Sequence, residues 1–573
     1  MQPPNIAKHA FLLVVAATAL VYFYGLGRIP FVGADEPRYA EVAREMYARG
    51  DLVTPTLEGR AWFEKPALVY WAEAAGFKLL GVSEFSARLG TALAGWLTVL
   101  LVGWLCGRVE RAARDDAGAD DEAGADGEAR GLRFACAGVA ASSAGLVVFS
   151  RAVNFDVPLT ATVTLSLACF FAADLERDAA RRRLLLAGFY AGAGASLLAK
   201  GLVGFVITFG VAALYKILRR WAREDVRRDL LSLTWGVPLA LAVAAVWYVP
   251  VTLAHGRAFL REFFVEHHFA RFVSNSFHHP QPFYFYLLIL PTLLLPWTPF
   301  LFAALKRFWG DARRARFDFS GDMRAASTQD ATLRLRLFAL AWIAVPLVFF
   351  SLAQSKLPGY ILPALPAACV LAGDELRRFV RGTGARWMMR ATGVVLLFAA
   401  AAALIYAESA RLVTTRAALG VALPLALAGA WALVAKGSRA RVACAVVAAA
   451  LLSAALAAGF AQGGVARRKS VRELLSLAAA RGYADAPVLE LYRVEHTAQF
   501  YAAGRLLVDG RGEPVVLEGV NLVERAADAR GASVLVLVPV GEAYQLARLG
   551  EARAELIGDN GSRALFAVRP EMK

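Results

Sequence analysis

The chain has 573 residues, 58% hydrophobic and only 19% charged, with mean hydropathy +0.49 and a formal net charge of +16. A water-soluble fold of this size has too little interior to hide so much apolar surface, so the composition reads as a polytopic membrane protein. The cations gather in alternate loops, including Arg181 to Arg183, Lys216 to Arg228, Lys306 to Arg316, Arg377 to Arg381 and Lys436 to Arg441; this positive-inside pattern accounts for the basic balance and argues against nucleic acid as a partner.

The first apolar run, 9–27, is too long and too aromatic at its end for a cleaved signal, and no A-x-A site follows, so it reads as a retained span. Behind it comes "GADEPRYAEVAREM", Gly33 to Met46, which places Asp35, Glu36, Arg38 and Glu41 just outside the membrane. Asp35 can cap a helix whose first turn accepts Pro37, and Gly50 can end that helix in a left-handed conformation. Tyr39, Val42 and Met46 share one face while Arg38, Glu41 and Glu45 share another, as in an amphipathic helix lying on the outer bilayer surface. Asp35 is then either a cap alone or a group facing a site. Next, "WFEKPALVYW" sets Glu64 and Lys65 between aromatics; the lysine either snorkels toward headgroups or binds a lipid phosphate.

Further runs long enough to span lie near 85–106, 134–151, 157–174, 184–199, 201–217, 231–253 and 284–304, then near 335–352, 360–375, 391–407, 414–434 and 442–461. That makes about thirteen spans, which puts the N-terminus inside and the C-terminus outside. The acidic insert 115–128, "DDAGADDEAGADGE", reads as a disordered inner loop without function. "RAVNFDVPL" carries Asp156 at an outer span end, and "LLAKGLVG" puts Lys200 and Gly201 at another outer turn. The 255–283 loop holds His255, His267, His268, His278 and His279 with Glu266 and Arg271, but its HH pairs lack a metal-diagnostic spacing and read first as interfacial packing. "SKLPGYILP" offers Lys356 and Tyr360 on a loop shaped by proline and glycine. The five cysteines, at 106, 136, 169, 369 and 444, lie in or beside apolar runs and form no CxxC pair. The tail alternates β runs (486–492, 532–540) with helical patterns (470–481, 541–549), as in a small α/β domain, dividing the chain into 1–463 and 464–573.

Any one ionisable group at a membrane end is unremarkable. Several outer-face sites mixing acid and base point to chemistry there, whereas transporters favour midplane sites and internal repeats. "GADEPRYAEVAREM", "WFEKPALVYW", "EHHFARF…HHPQPFYFY" and "SKLPGYILP", in this order on one membrane face, resemble the aminoarabinose transferase branch of the GT-C glycosyltransferases, relatives of the protein O-mannosyltransferases. The resemblance covers essentially the whole chain, although the acidic insert departs from the pattern and the tail resembles the family only loosely.

The resemblance implies an all-α polytopic fold with outer juxtamembrane helices and a small extracytoplasmic α/β domain, set in a bacterial inner membrane. It also implies transfer of a sugar, inverting or retaining, from a polyprenyl-phosphate donor to lipid A, another envelope glycan or a protein. It makes Asp35 the general base or acceptor-orienting group, with Asp156 as second acid. Lys65, Lys200 and Arg271 bind the donor phosphate, and Arg38, Glu41, Lys356 and Tyr360 contact substrate. Glu64 and His267 match positions associated with zinc in this branch. No nucleotide cofactor is implied, and no phosphate-cradling glycine loop is present. The expectation is that Asp35, Lys65, Asp156, Lys200 and His267 converge on one cavity; a protein O-glycosyltransferase and a lipid flippase or transporter are the rivals.

Overall fold

The computed structural model describes residues 16, 18–117, 131–221, 232–270, 280–317, 331–410, 413–461, 463–510 and 513–571. Residues 9–15 and 17 of the expected first span and most of the acidic insert 115–128 lie outside these residues, as do Arg271, His278 and His279, and the side chains of His267 and His268 are likewise undescribed.

Among the described residues, eight helices are long and apolar enough to cross a membrane, and a pair bent by 119°, Phe285–Leu293 with Thr298–Gly310, would make a ninth. Two other expected spans are interrupted. The 134–151 run divides at Ser143 into Leu132–Ser142 and Ala144–Phe149, and the 360–375 run opens as a 3-10 turn, Pro358–Ala364, before helix Leu365–Val380. Pro358 and Pro363 cannot donate to an α-helical ladder, which accounts for the tighter turn. The first break is satisfied by the bent pair, because Ala144 N donates to Leu295 O at 2.9 Å and Trp297 Nε1 to Ser142 Oγ at 2.9 Å. Broken backbone at membrane depth persists only where protein groups pair it in this way.

Helix α1 (Asp156–Leu175) is the axis of the bundle, buried along most of its length. It packs against Glu84–Ala117 and against α2 (Ala179–Lys200), and small residues allow the close approach: a Cβ on Gly192 would meet Ser166 at 2.9 Å. By contrast, Leu233–Leu260 turns Leu241, Val246, Val249 and Leu253 outward, the side expected to face lipid.

The two ends of α1 differ in character. At its C-terminal end Asp174 accepts from Arg219 at 2.6 Å and from Tyr215 at 2.8 Å. Nearby in the same layer Asp374 accepts from Arg307, Arg336 and Arg377 at 2.7–3.0 Å. Several of the cations read from sequence as loop charges are thus partners of buried acids. Asp156 stands at the other end, about 27 Å away at 1.5 Å per residue.

Helix α3 (Asp35–Arg49) forms as expected and ends at Gly50 with φ 67°. Two details differ from expectation. Its N-cap is Ala34, with no side-chain cap, so Asp35 is the first helical residue. Nor does the helix simply float on the bilayer: Glu36, Tyr39, Glu41, Val42 and Met46 are buried against helix Leu68–Leu80 and the tail. Apolar residues at i, i+3 and i+7 report a covered face, and the pattern does not distinguish lipid from protein as the cover.

The tail carries a five-stranded mixed sheet in the order β4-β3-β5-β7-β6: β3 (Val488–Leu491), β4 (Val516–Leu517), β5 (Val534–Pro539), β6 (Ala554–Asp559) and β7 (Arg563–Val568), numbered after the small hairpin β1 (Thr56–Leu57) and β2 (Arg60–Ala61). Strand β3 runs parallel to β4 and β5, and both faces of the sheet are apolar and covered. The short helix His496–Tyr501 docks the domain on α3: Phe31 N donates to the Tyr501 hydroxyl at 2.8 Å, and that hydroxyl donates to Glu84 Oε1 at 2.8 Å.

Candidate active site

At the start of α1, Asn154 shapes the turn. Its side-chain oxygen accepts from the amides of Asp156 (3.1 Å) and Val157 (2.9 Å), while its amide nitrogen donates to Phe149 O and Ala152 O. This Asx turn leaves the Asp156 carboxylate free to ion-pair with Lys200, the last residue of α2, where Gly201 ends the helix at φ 74°. Lys200 Nζ also sits 4.2 Å from the centre of the Tyr360 ring. Gly359 is required beside them, because a Cβ there would run into the Asp156 carboxylate and the Phe149 ring. Both members of the pair remain partly exposed, at 15% of each side chain.

A second group lies on the juxtamembrane helices. Glu64 and Lys65 form an ion pair of 2.6 Å, and both are largely buried. The Arg38 guanidinium lies 5.6 Å from the Trp62 ring. The Tyr70 hydroxyl is buried without a hydrogen-bond partner among the described residues. Burial, reinforced by the charges of Glu64, Glu73 and Asp35, pushes its pKa well above the ordinary phenol value. Asp35 is exposed at the head of α3, near enough to Tyr70 and His496 to act electrostatically on both.

Two contacts join the groups. Phe155, adjacent to Asp156, packs edge-on against Tyr39 at 4.8 Å and Tyr70 at 5.4 Å. Phe63 and Ala67, which flank Lys65, share an apolar cluster with Leu198, two residues before Lys200. Asp35, Arg38, Glu64, Lys65, Asp156, Lys200 and Tyr360 therefore belong to one end of the bundle, as mixed cationic and acidic groups set among aromatic rings.

A family model described as dolichyl-phosphate-mannose-protein mannosyltransferase matches residues 10–114 and 133–262. Among curated relatives, an undecaprenyl phosphate-alpha-4-amino-4-deoxy-L-arabinose arabinosyl transferase of Pseudomonas aeruginosa is 30% identical over 433 residues, which is 74% of this chain and 70% of the relative. The chain belongs to this arabinosyl transferase family. A second transferase of that name, from Pseudomonas fluorescens, is 31% identical over 65% of this chain, and the match spans 57% of the relative's length. The crystal structure of ArnT from Cupriavidus metallidurans bound to undecaprenyl phosphate has the same fold, with a TM-score of 0.72, 23% identity, and coverage of 97% of this chain and 98% of that one. Its apo crystal structure matches equally, at TM-score 0.72.

Within this arabinosyl transferase relative, other candidates sit apart from the Asp156–Lys200 pair. Glu41 is buried and bonded to Arg44 at 2.6 Å, and Arg44 in turn donates to Phe500 O at 2.8 Å, so Glu41 faces the tail. Burial raises its carboxyl pKa to about 8 despite Arg44. Lys356 donates to the carbonyls of Ala353 and Gln281, pinning the 353–360 loop to the segment before Phe285, and burial lowers its pKa. His255 is hydrogen-bonded with Thr54 Oγ1 at 2.9 Å and packs on Phe63. No group of three or more His, Cys, Asp or Glu arranged to hold a metal occurs among the described residues, and the Glu64 carboxylate is bonded to Lys65.

Three contributors were not legible from the sequence. Glu36 forms a buried bidentate pair with Arg88 at 2.7 and 2.9 Å and also accepts from Val153 N at 3.0 Å. The others are Asn154 and Tyr70. Glu36 was visible only as one more charge in a crowded stretch, and Arg88 fell at the edge of an apolar run.

Proposed function

We propose that the chain is an inner-membrane glycosyltransferase moving 4-amino-4-deoxy-L-arabinose from undecaprenyl phosphate to a phosphate of lipid A at the periplasmic face. The observation that carries this reading is the half-open Asp156–Lys200 pair under Tyr360, joined through Phe155 and the Phe63–Leu198 cluster to Asp35 and Lys65. Cations at a membrane end suit a lipid-borne phosphate, and an acid beside them suits an acceptor that must be oriented or deprotonated.

In the transfer, an acceptor oxygen bonds to the anomeric carbon while that carbon's bond to the undecaprenyl phosphate oxygen breaks, and the leaving phosphate keeps the electron pair. Lys65 and Lys200, with Arg271, stabilise the charge growing on the phosphate. Asp35 orients the acceptor and takes its proton where it carries one; Asp156 holds Lys200 in place and contacts the sugar. Tyr360 and Lys356 belong to the loop closing over the donor, and Arg38 and Glu41 line the acceptor side. Glu64 and His267 are the positions a divalent ion such as zinc would use, and no step is assigned to it. The topology that fits is thirteen spans, with a cytoplasmic N-terminus and the tail domain, from residue 464, in the periplasm.

The test is transfer by purified enzyme from undecaprenyl phosphate-aminoarabinose to lipid A. Asp35→Asn is expected to lower the rate by about 100-fold or more, the usual contribution of a positioned general base. Near-normal transfer by this variant would remove Asp35 from the mechanism. Lys65→Ala is expected to lose binding of undecaprenyl phosphate, which a protein with no lipid-phosphate site would never have shown.

A further inference from the structure

The tail domain and the turn preceding α3 enclose a polar hollow of about 320 Å³ whose lining includes Gly33, Ala34, Lys469, Arg493, His496 and Arg563. It lies across the Gly33–Ala34 turn from Asp35, and no role has yet been given to its cations. Arg563, at the start of β7, is only 6% exposed. Its Nε donates to Glu495 at 3.1 Å and its Nη2 to Val494 O at 3.1 Å, but Nη1 is buried with no hydrogen-bond partner among the described residues. His496 is half-buried in the same lining, within reach of the Gln499 side chain and of the Arg38 charge.

The acid in this lining does not answer the vacant Arg563 donor. Glu495 Oε2 already accepts from Arg563 Nε, and its Oε1 accepts from Thr497 through N (3.3 Å) and Oγ1 (2.9 Å). Lys469 and Arg493 stand exposed at the rim and add two more positive charges. A buried guanidinium donor left unpaired is costly, and a ligand with several acceptor oxygens would satisfy it together with the rim cations. Directly beside the hollow, an apolar slot of about 490 Å³ runs past Val32, Tyr406 and Val421 and shares Lys469 with it. A polar chamber and an apolar slot meeting at one lysine have the shape of an amphiphile.

We propose that the hollow binds a phosphate monoester, the headgroup phosphate of a lipid whose chains occupy the adjoining slot. This rests on the transferase reading and deepens it: the tail domain anchors the acceptor by a phosphate and so presents the lipid beside Asp35. A free phosphate ester in the periplasm offers the same chemistry without the chains.

The experiment uses the full chain in detergent micelles, with Lys65→Ala as background so that donor-site binding does not contribute. Inorganic phosphate is titrated calorimetrically with and without the rim substitutions Lys469→Gln and Arg493→Gln, whose exposed positions spare the fold. The pair is expected to weaken phosphate binding at least tenfold; unchanged binding overturns the proposal. The same two substitutions in otherwise wild-type enzyme are expected to raise the KM for lipid A at least fivefold, with kcat and the KM for the donor unmoved. Weakened phosphate binding with an unmoved KM for lipid A would support the site but assign it to free phosphate esters. Wild-type enzyme that binds phosphate in the hollow yet transfers nothing would sink the transferase reading and leave the site standing.

Discussion

Removing the charge of Glu36 should disturb both candidate acids at once. Its carboxylate takes two hydrogen bonds from Arg88 and one from Val153 N, so a single buried side chain ties α3, the Glu84–Ala117 helix and the turn leading into Asp156. Arg88 completes the brace by donating to Leu26 O and Ile29 O at 2.6 Å and to Pro30 O at 3.3 Å. Glu36→Gln keeps an acceptor for Val153 but strands the guanidinium, only 2% exposed, without its counter-charge. Breaking one side of a buried pair costs about 3–5 kcal/mol, against about 0.2–1 kcal/mol for an exposed pair. A cycle of Glu36→Gln, Arg88→Met and the double variant, read by unfolding in mixed micelles, should give a coupling of about 3 kcal/mol. Transfer by Glu36→Gln should fall by more than tenfold, because Asp35 and Asp156 lose their common support. A coupling below about 0.5 kcal/mol, the range of a solvated pair, together with wild-type turnover, would refute the brace.

Gly359→Ala should drop transfer by at least tenfold while the protein still folds, since the new Cβ displaces the Asp156 carboxylate from Lys200; turnover with undecaprenyl phosphate-aminoarabinose and a melting curve check both halves. Tyr501→Phe leaves Phe31 N without its acceptor and removes the hydroxyl donor to Glu84, so the tail should dock more weakly by about 1–3 kcal/mol. Faster hydrogen exchange across 496–501 would report that loss, and unchanged exchange would deny it. Burial raises the carboxyl pKa of Glu41 to about 8 and those of Glu58 and Glu490 to about 7. The fold therefore holds these protons more tightly than the unfolded chain, so their stabilisation is complete below about pH 4.5 and fades as pH rises toward 8. Melting of the full chain in detergent should accordingly be higher at pH 5 than at pH 8, and Glu58→Gln should flatten the difference.

What the sequence made visible was mostly what repeats or what stands at a helix end. Apolar runs of membrane length located the spans, Gly50 and Gly201 located two helix ends, and alternating β runs located β3 and β5. The failures share a cause: a contact between distant segments leaves no local trace. Part of the cover over α3 comes from residues 496–501, more than four hundred positions away, and an amphipathic pattern carries no sign of it. The break at Ser143 is paired by Leu295 and Trp297 and shows in the sequence only as two adjacent serines inside an apolar run.

The same limit governs how acids at span ends are read, and α1 shows it best because it carries one at each end. Asp174 and Asp156 look alike in sequence, each an aspartate where an apolar run meets polar residues. In the fold, Asp174 meets a guanidinium and a tyrosine with only 3% of its side chain exposed, a pair held in fixed geometry. Asp156 instead meets a lysine, a mobile point charge on a flexible stem, in a pair still open to solvent. An incoming phosphate can compete for the lysine's charge and turn it by rotation about its stem. It has no comparable access to Arg219. The partner, more than the acid, separates a group available for chemistry from one fixed in the scaffold. Lys200→Arg should therefore preserve the ion pair and the fold while impairing transfer, because a planar fork bonded to Asp156 cannot be handed over so readily to the donor phosphate. Full turnover by Lys200→Arg would show that charge alone, and not its mobility, is what the site requires.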